Sequence, residues 1–172
     1  LFHIYIFKNK IDMIIFLSAM VIFCFFIEIF RYQNSFISKI FIRYLSIMMR
    51  NFEKKGSLTG ATWVFVGALI TIVIIPRPFC ILALFFLAFG DTLAALIGMK
   101  FPFIKIGNKT LSGSLACFTI CLFIGLILDF KISLEIILIG AFAATIAELA
   151  SMKINDNLLI PLLSGCAMYL GS

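Results

Sequence analysis

Phe79–Met99 reads FCILALFFLAFGDTLAALIGM, and this stretch decides the fold class. At about 1.5 Å per residue, an apolar helix of this length crosses the hydrocarbon of a bilayer. It holds a single carboxylate, Asp91. On insertion scales such a charge costs roughly 2.5–3.5 kcal/mol at the centre of a span, so its presence points to function. Gly90, Ala94 and Gly98 recur every four residues beside it, and Ala95 follows Asp91 by four. A face of small residues admits another backbone at close range. Asp91 is therefore expected to face protein or a polar cavity, not lipid.

The rest of the composition agrees. Hydrophobic residues make up 63% of the 172 and charged residues 13%, which excludes an ordinary soluble domain. The fold class expected is all-α: a polytopic integral membrane helix bundle, treated as one domain over 1–172. The chain opens at Leu1 rather than Met, so a fragment short of its true N-terminus is expected. No secretory signal pattern is visible. The five cysteines (Cys24, Cys80, Cys117, Cys121 and Cys166) lie in apolar stretches without a CxxC pair, so zinc and redox readings are weak. Cys117 and Cys121 share a helix face and are read as two small buried residues.

About six spans follow from the apolar runs: Ile11–Phe30, Leu58–Ile75, Phe79–Met99, Ser112–Leu128, Leu134–Ala150 and Leu158–Leu170. One set of connections carries Arg31, Lys39, Arg43, Arg50, Lys54, Lys55, Lys100, Lys105, Lys109 and Lys153. The other carries only Lys8, Lys10, Arg77 and Lys131. The positive-inside rule places the first set in the cytoplasm. The net charge of +6 reflects this asymmetry and anionic headgroups rather than nucleic acid. Between Tyr32 and Phe52, Lys39, Arg43, Ser46 and Arg50 share one helical face and apolar residues cover the rest. This reads as an amphipathic helix in the membrane interface. A basic connector explains it more simply than a lid for a lipid.

The residues able to do chemistry gather on the cytoplasmic side. Glu53-Lys54-Lys55-Gly56-Ser57-Leu58-Thr59-Gly60-Ala61-Thr62 offers backbone N–H groups at a helix start to an anion. Taken alone, a helix capped by Ser57 or Thr59 accounts for it. Asp91 could be a structural ion-pair partner, but buried ion pairs are weak evidence for stability. The loop Lys100–Ser114 supplies Lys105, Gly107, Lys109, Thr110, Ser112, Gly113 and Ser114. Its lysines and the following helix N-terminus suit a polyphosphate. It lacks the Walker A spacing, and a polar turn with positive-inside lysines is equally good. Glu148 shares a small-residue face with Gly140 and Ala144. Asn155 or Asp156 could cap the last helix. Carboxylates that hold Mg2+ and lysines that hold phosphates are the parts phosphoryl transfer requires.

The order EKKGSLTGAT, GDTLAALIG, KIGNKTLSGSLACF, then ATIAELAS with NDNLLIPLLSG resembles the polyprenol and diacylglycerol kinase family, which includes dolichol kinase, phytol kinase and CTP-dependent diacylglycerol kinase. The match is strongest over residues 53–171. The resemblance implies Mg2+-assisted transfer of a phosphoryl group from CTP, with ATP as the alternative donor, to a membrane lipid alcohol at the cytoplasmic face. It implies Asp91 and Glu148 as catalytic residues. For the nucleotide it implies Lys55, Thr59, Gly98, Lys105, Gly107, Lys109, Ser112 and Gly113. It implies Asp91, Glu148 and Asp156 as metal ligands, with Glu53 and Asn157 as further polar positions. Leu1-Phe2-His3-Ile4 looks like the continuation of the family's opening Arg-Lys motif, without the pair itself, and His3 is left out of the core site. Phosphatidate cytidylyltransferase is the rival enzyme. Its Lys-Asp and His-Gly-Gly signature is absent here. A non-catalytic membrane protein is the rival of another class, since intramembrane carboxylates also mark ion pathways. The expected partners are the lipid alcohol, a nucleotide and the bilayer, with no nucleic acid; the sequence leaves oligomeric state open.

Overall fold

The computed structural model describes residues 9–33, 57–107, 109–128, 131–150 and 155–172. The expected interfacial helix falls on residues 34–52, outside the described residues, as do His3, Glu53 and Lys55. The helices are α1 (Lys10–Gln33), α2 (Gly60–Ile74), α3 (Arg77–Phe85), α4 (Thr92–Lys100), α5 (Leu111–Ile127), α6 (Leu134–Ala150) and α7 (Asp156–Leu170). Each apolar run read from the sequence is thus helical, with ends shifted by at most three residues. The fold is mostly helical, with one small addition: β1 (Lys105–Ile106) pairs antiparallel with β2 (Lys109–Thr110).

Among the described residues, two continuous helical stretches are long and apolar enough to cross a membrane: Lys10–Gln33 and Arg77–Lys100, each of 24 residues. At 1.5 Å per residue each is about 36 Å long. Gly60–Ile74, Leu111–Ile127 and Asp156–Leu170 are shorter apolar helices. The chain divides into two compact units, Leu1–Leu69 and Ile70–Ser172.

Local chemistry sets the ends. In α1, Asp12 sits in the first turn and Arg31 in the last, each matching the sign favoured by the helix dipole. Pro76 ends the run before α3, and Pro78 occupies its first turn, where a missing N–H is harmless. Thr110 caps α5, its side chain accepting from the Gly113 N–H at 3.2 Å. Asn155 caps α7, accepting from the Asn157 N–H at 3.0 Å.

The span from Arg77 to Lys100 is not uniformly α-helical. Phe86–Asp91 forms a π-helical turn between α3 and α4. The extra residue re-aims everything after it, and Asp91 closes that turn. Neither the turn nor its position is visible in the apolar pattern.

The second unit packs on small residues, as the four-residue spacing predicted. Gly90, Ala94, Cys117 and Cys121 are all buried. A Cβ on Gly90 would lie 2.8 Å from Cys121 Sγ and 3.2 Å from Cys117 Sγ. Ala95, on the neighbouring stripe, is exposed. On α6, Gly140, Ala144 and Glu148 form one buried row. Close approach rather than apolar area sets these contacts, because lipid competes for apolar surface.

Gly113 tests that closeness. A Cβ there would meet the Ala94 carbonyl oxygen at 2.7 Å. A backbone oxygen cannot swing aside as a side chain does. Alanine gains about 1 kcal/mol of helix propensity over glycine, but overpacking costs about 1–3 kcal/mol. Gly113→Ala is therefore expected to lower stability by about 1 kcal/mol, read by denaturant titration in detergent micelles. A stabilised variant would contradict the close approach of α4 and α5.

Candidate functional site

The β-ribbon positions the centre of the site. Gly107 follows β1 at φ 61°, in the left-handed region that favours glycine. In the ribbon, Lys105 pairs with Thr110 and Ile106 with Lys109. Side chains alternate along a strand, so paired residues share a face and Lys105 and Lys109 point oppositely. Lys105 is exposed, whereas Lys109 is half-buried.

Lys109 Nζ lies 3.0 Å from Glu148 Oε1, 3.2 Å from Asp156 Oδ2 and 3.9 Å from Asp91 Oδ1. Asp156 is 1% exposed, Glu148 3% and Asp91 20%. The three carboxylates come from the end of the π turn, the last turn of α6 and the first residue of α7. Sequence singled out all four residues, and the structure brings them together. Burial pushes the Lys109 ammonium down. Its hydrogen bond to Glu148 and the charges of Asp156, Glu148 and Asp91 outweigh that, so its pKa stands above the ordinary lysine value.

Further groups hold the carboxylates in place. Ser114 Oγ donates to Glu148 Oε2 at 2.9 Å, and it also lies 3.2 Å from the Thr110 carbonyl oxygen. Asp156 Oδ1 accepts from the Asn157 N–H at 3.2 Å while Oδ2 takes Lys109. Thus Asn155 supplies the cap and Asp156 serves the cluster, which resolves the alternative left open by the sequence.

The remaining expected site residues have other surroundings. Ser112 Oγ donates to the Phe101 carbonyl at 2.6 Å and fastens the ribbon. Gly98 packs beneath Thr110: a Cβ there would meet Thr110 Oγ1 at 2.6 Å. Thr59 belongs to the first unit. Its N–H donates to Glu28 Oε1 at 2.8 Å, and Thr62 Oγ1 donates to the same oxygen at 3.2 Å. The anion facing that helix start is therefore a side chain of the protein itself.

Sequence reasoning missed three residues. Ser114 was seen only as a loop hydroxyl. Glu28 was not weighed. Arg31 was counted among the cytoplasmic charges, but it is 7% exposed, pairs with Glu28 at 2.8 Å and donates to the Ser57 carbonyl at 2.6 Å. The signal was the i,i+3 spacing of opposite charges at the end of an apolar helix.

By donor type and charge the carboxylates suit Mg2+. They are hard oxygen ligands, and three of them against one ammonium leave a surplus of two negative charges if all are ionised. Among the described residues, however, no three His, Cys, Asp or Glu side chains are already grouped as a ligand set. Here the ammonium organises the carboxylates.

The uncharacterized protein RP860 of Rickettsia prowazekii is 31% identical over 166 residues, covering 92% of this chain and 81% of the relative. The chain belongs to the family of that protein. CTP-dependent diacylglycerol kinase 1 of Schizosaccharomyces pombe is 28% identical over 162 residues, 83% of this chain and 73% of the relative. The Saccharomyces cerevisiae protein of the same name is 28% identical over 99 residues, 56% and 34% respectively. These distant matches support a diacylglycerol-kinase-like family. With the apolar helices they support a membrane-associated protein. No family model matches the chain, and no solved structure matches it.

Proposed function

We propose that this protein is a lipid kinase of the membrane, transferring the terminal phosphoryl group of CTP to the hydroxyl of a lipid alcohol, a diacylglycerol or a polyprenol. The observation that carries the reading is the Lys109 ammonium held among Asp91, Glu148 and Asp156 at 3.9, 3.0 and 3.2 Å. Three distant segments of an apolar chain converge on it, and the match to one of the distant kinase relatives covers 83% of the chain. We place the six helical runs across the bilayer, with the ribbon, the end of α6 and the start of α7 at the cytoplasmic face.

In this reading, Lys109 supplies a positive charge at the mouth of the carboxylate cluster, where phosphate oxygens gain from it. Glu148, fixed by Ser114, and Asp156, fixed by the Asn157 N–H, hold that charge in position. Asp91 is the most exposed carboxylate of the three and the one best placed to meet substrate. Mg2+, when bound by Asp91, Glu148 and Asp156, would neutralise charge on the transferring group.

The decisive experiment follows the label. CTP carrying a labelled γ-phosphate is expected to label the lipid product, and CTP labelled at the α-phosphate is not. Label reaching lipid only from the α-position would replace this reading with cytidylyl transfer. Label from neither position, across diacylglycerol, phytol and polyprenols with CTP and ATP, would leave a non-catalytic protein.

A further inference from the structure

The connection between α4 and β1 is short, basic and apolar at once. Phe101, Phe103 and Ile104 are 61%, 63% and 56% exposed, and Lys100 and Lys105 flank them, also exposed. Large apolar side chains left exposed side by side on a connection mark an interaction surface. Here they are held outward. Ser112 Oγ binds the Phe101 carbonyl at 2.6 Å, and the Phe103 N–H points back to the same Oγ at 3.4 Å. The Leu111 N–H donates to the Ile104 carbonyl at 2.9 Å. Ile104 itself has φ 42°, a left-handed conformation that β-branched residues rarely adopt. The backbone is pinned at both ends in a conformation that leaves all three side chains outside the fold. Such strain persists only where surrounding contacts impose it.

We propose that Phe101, Phe103 and Ile104 insert into the headgroup–acyl boundary of an anionic lipid surface, with Lys100 and Lys105 taking lipid phosphates. Two observations choose this occupant. The connection leaves directly from Lys100, the last residue of a helical stretch long and apolar enough to cross a membrane, so it emerges at headgroup depth. Its exposed charges are both positive: Lys105 is exposed, and Lys100 Nζ stands 5.5 Å from the Phe101 ring centroid, which interleaves the cation with the aromatic. Aromatic rings belong at that depth, and each lysine near an anionic leaflet strengthens attraction about fivefold. The inference uses the apolar helices and not the transfer reaction.

The test is a depth measurement on the full chain reconstituted in bilayers. Phe103→Trp in a Trp63→Phe background gives a single reporter. In bilayers containing phosphatidylglycerol, its emission is expected to be blue-shifted and quenched by lipids brominated near the carbonyls. Brominated phosphatidylglycerol should quench it more than brominated phosphatidylcholine, and Lys100→Gln with Lys105→Gln should abolish that preference. A spin label on Phe103→Cys, with the five native cysteines replaced and read by oxygen against nickel-chelate accessibility in anionic and in neutral bilayers, gives the same answer if the tryptophan variant does not fold. A reporter open to aqueous quencher and untouched by brominated lipid overturns the proposal. So does a reporter that lies in lipid with no preference for anionic headgroups.

Discussion

Lys109→Met is expected to destabilise the protein by about 3–5 kcal/mol, the penalty for removing one partner of a buried ion pair. Three carboxylates converge on this ammonium, and two of them are almost fully buried. Without it they repel one another with little water to screen them. Adding Glu148→Gln and Asp156→Asn to Lys109→Met should recover most of the loss, since amides hydrogen-bond without charge. Unfolding titrations in mild detergent measure both. A stable single variant would show that Lys109 does not organise the cluster. The pH dependence has a fixed sign. The pKa of Lys109 is raised in the folded state, so its contribution is complete below the unfolded value of about 10.4 and is lost as pH climbs through the higher folded value. The part of the stability difference between wild type and Lys109→Met that comes from the charge of Lys109 should therefore be lost only above about pH 10.

Asp91→Asn is expected to behave in the opposite way. Asp91 is the most distant of the three carboxylates from Lys109, at 3.9 Å, and 20% of its side chain is exposed. Glu148 and Asp156 still hold the ammonium in its absence, and a neutral amide is cheaper in a membrane. Stability should change by less than about 1 kcal/mol, the range of weak ion pairs. Transfer of label from γ-labelled CTP to lipid should fall at least about 100-fold, the usual loss when a group stabilising transferred charge is removed. A folded Asp91→Asn protein with near wild-type turnover would remove Asp91 from the chemistry. A variant that loses activity only in proportion to folded protein would make it an ordinary ion-pair partner.

The contrast between these variants follows what sequence could and could not tell. The helices were legible because apolar runs in so hydrophobic a chain leave few alternatives. The close approach at Gly90 and Ala94 was legible because small residues at four-residue spacing admit another backbone, though not that Cys117 and Cys121 meet Gly90 and Gly113 meets Ala94. Asp91, Glu148 and Asp156 stood out as carboxylates at the ends of apolar segments. Which lysine serves as their common partner did not. Lys109 and Lys105 look alike in the loop, and only the two-residue ribbon, with its left-handed Gly107, sends one inward and the other outward. Glu28 and Arg31 were hidden for a related reason. Charges near the end of a span usually mark topology, and their hydrogen bonds to Ser57, Thr59 and Thr62 join segments far apart in sequence.

The π turn at Phe86–Asp91 bears on how sequences of this kind should be aligned. The turn contains one residue more than an α-helix needs. A relative with the same residue count between Phe85 and Asp91 but ordinary α geometry there would align without a gap. Its aspartate would nonetheless point about 100° away around the axis, one residue's turn. Percent identity would hardly register the change. A one-residue gap at the turn, by contrast, removes the extra residue and returns the aspartate to the same side. A conserved aspartate letter in such a column therefore identifies the same carboxylate only where the turn, or a gap in its place, accompanies it.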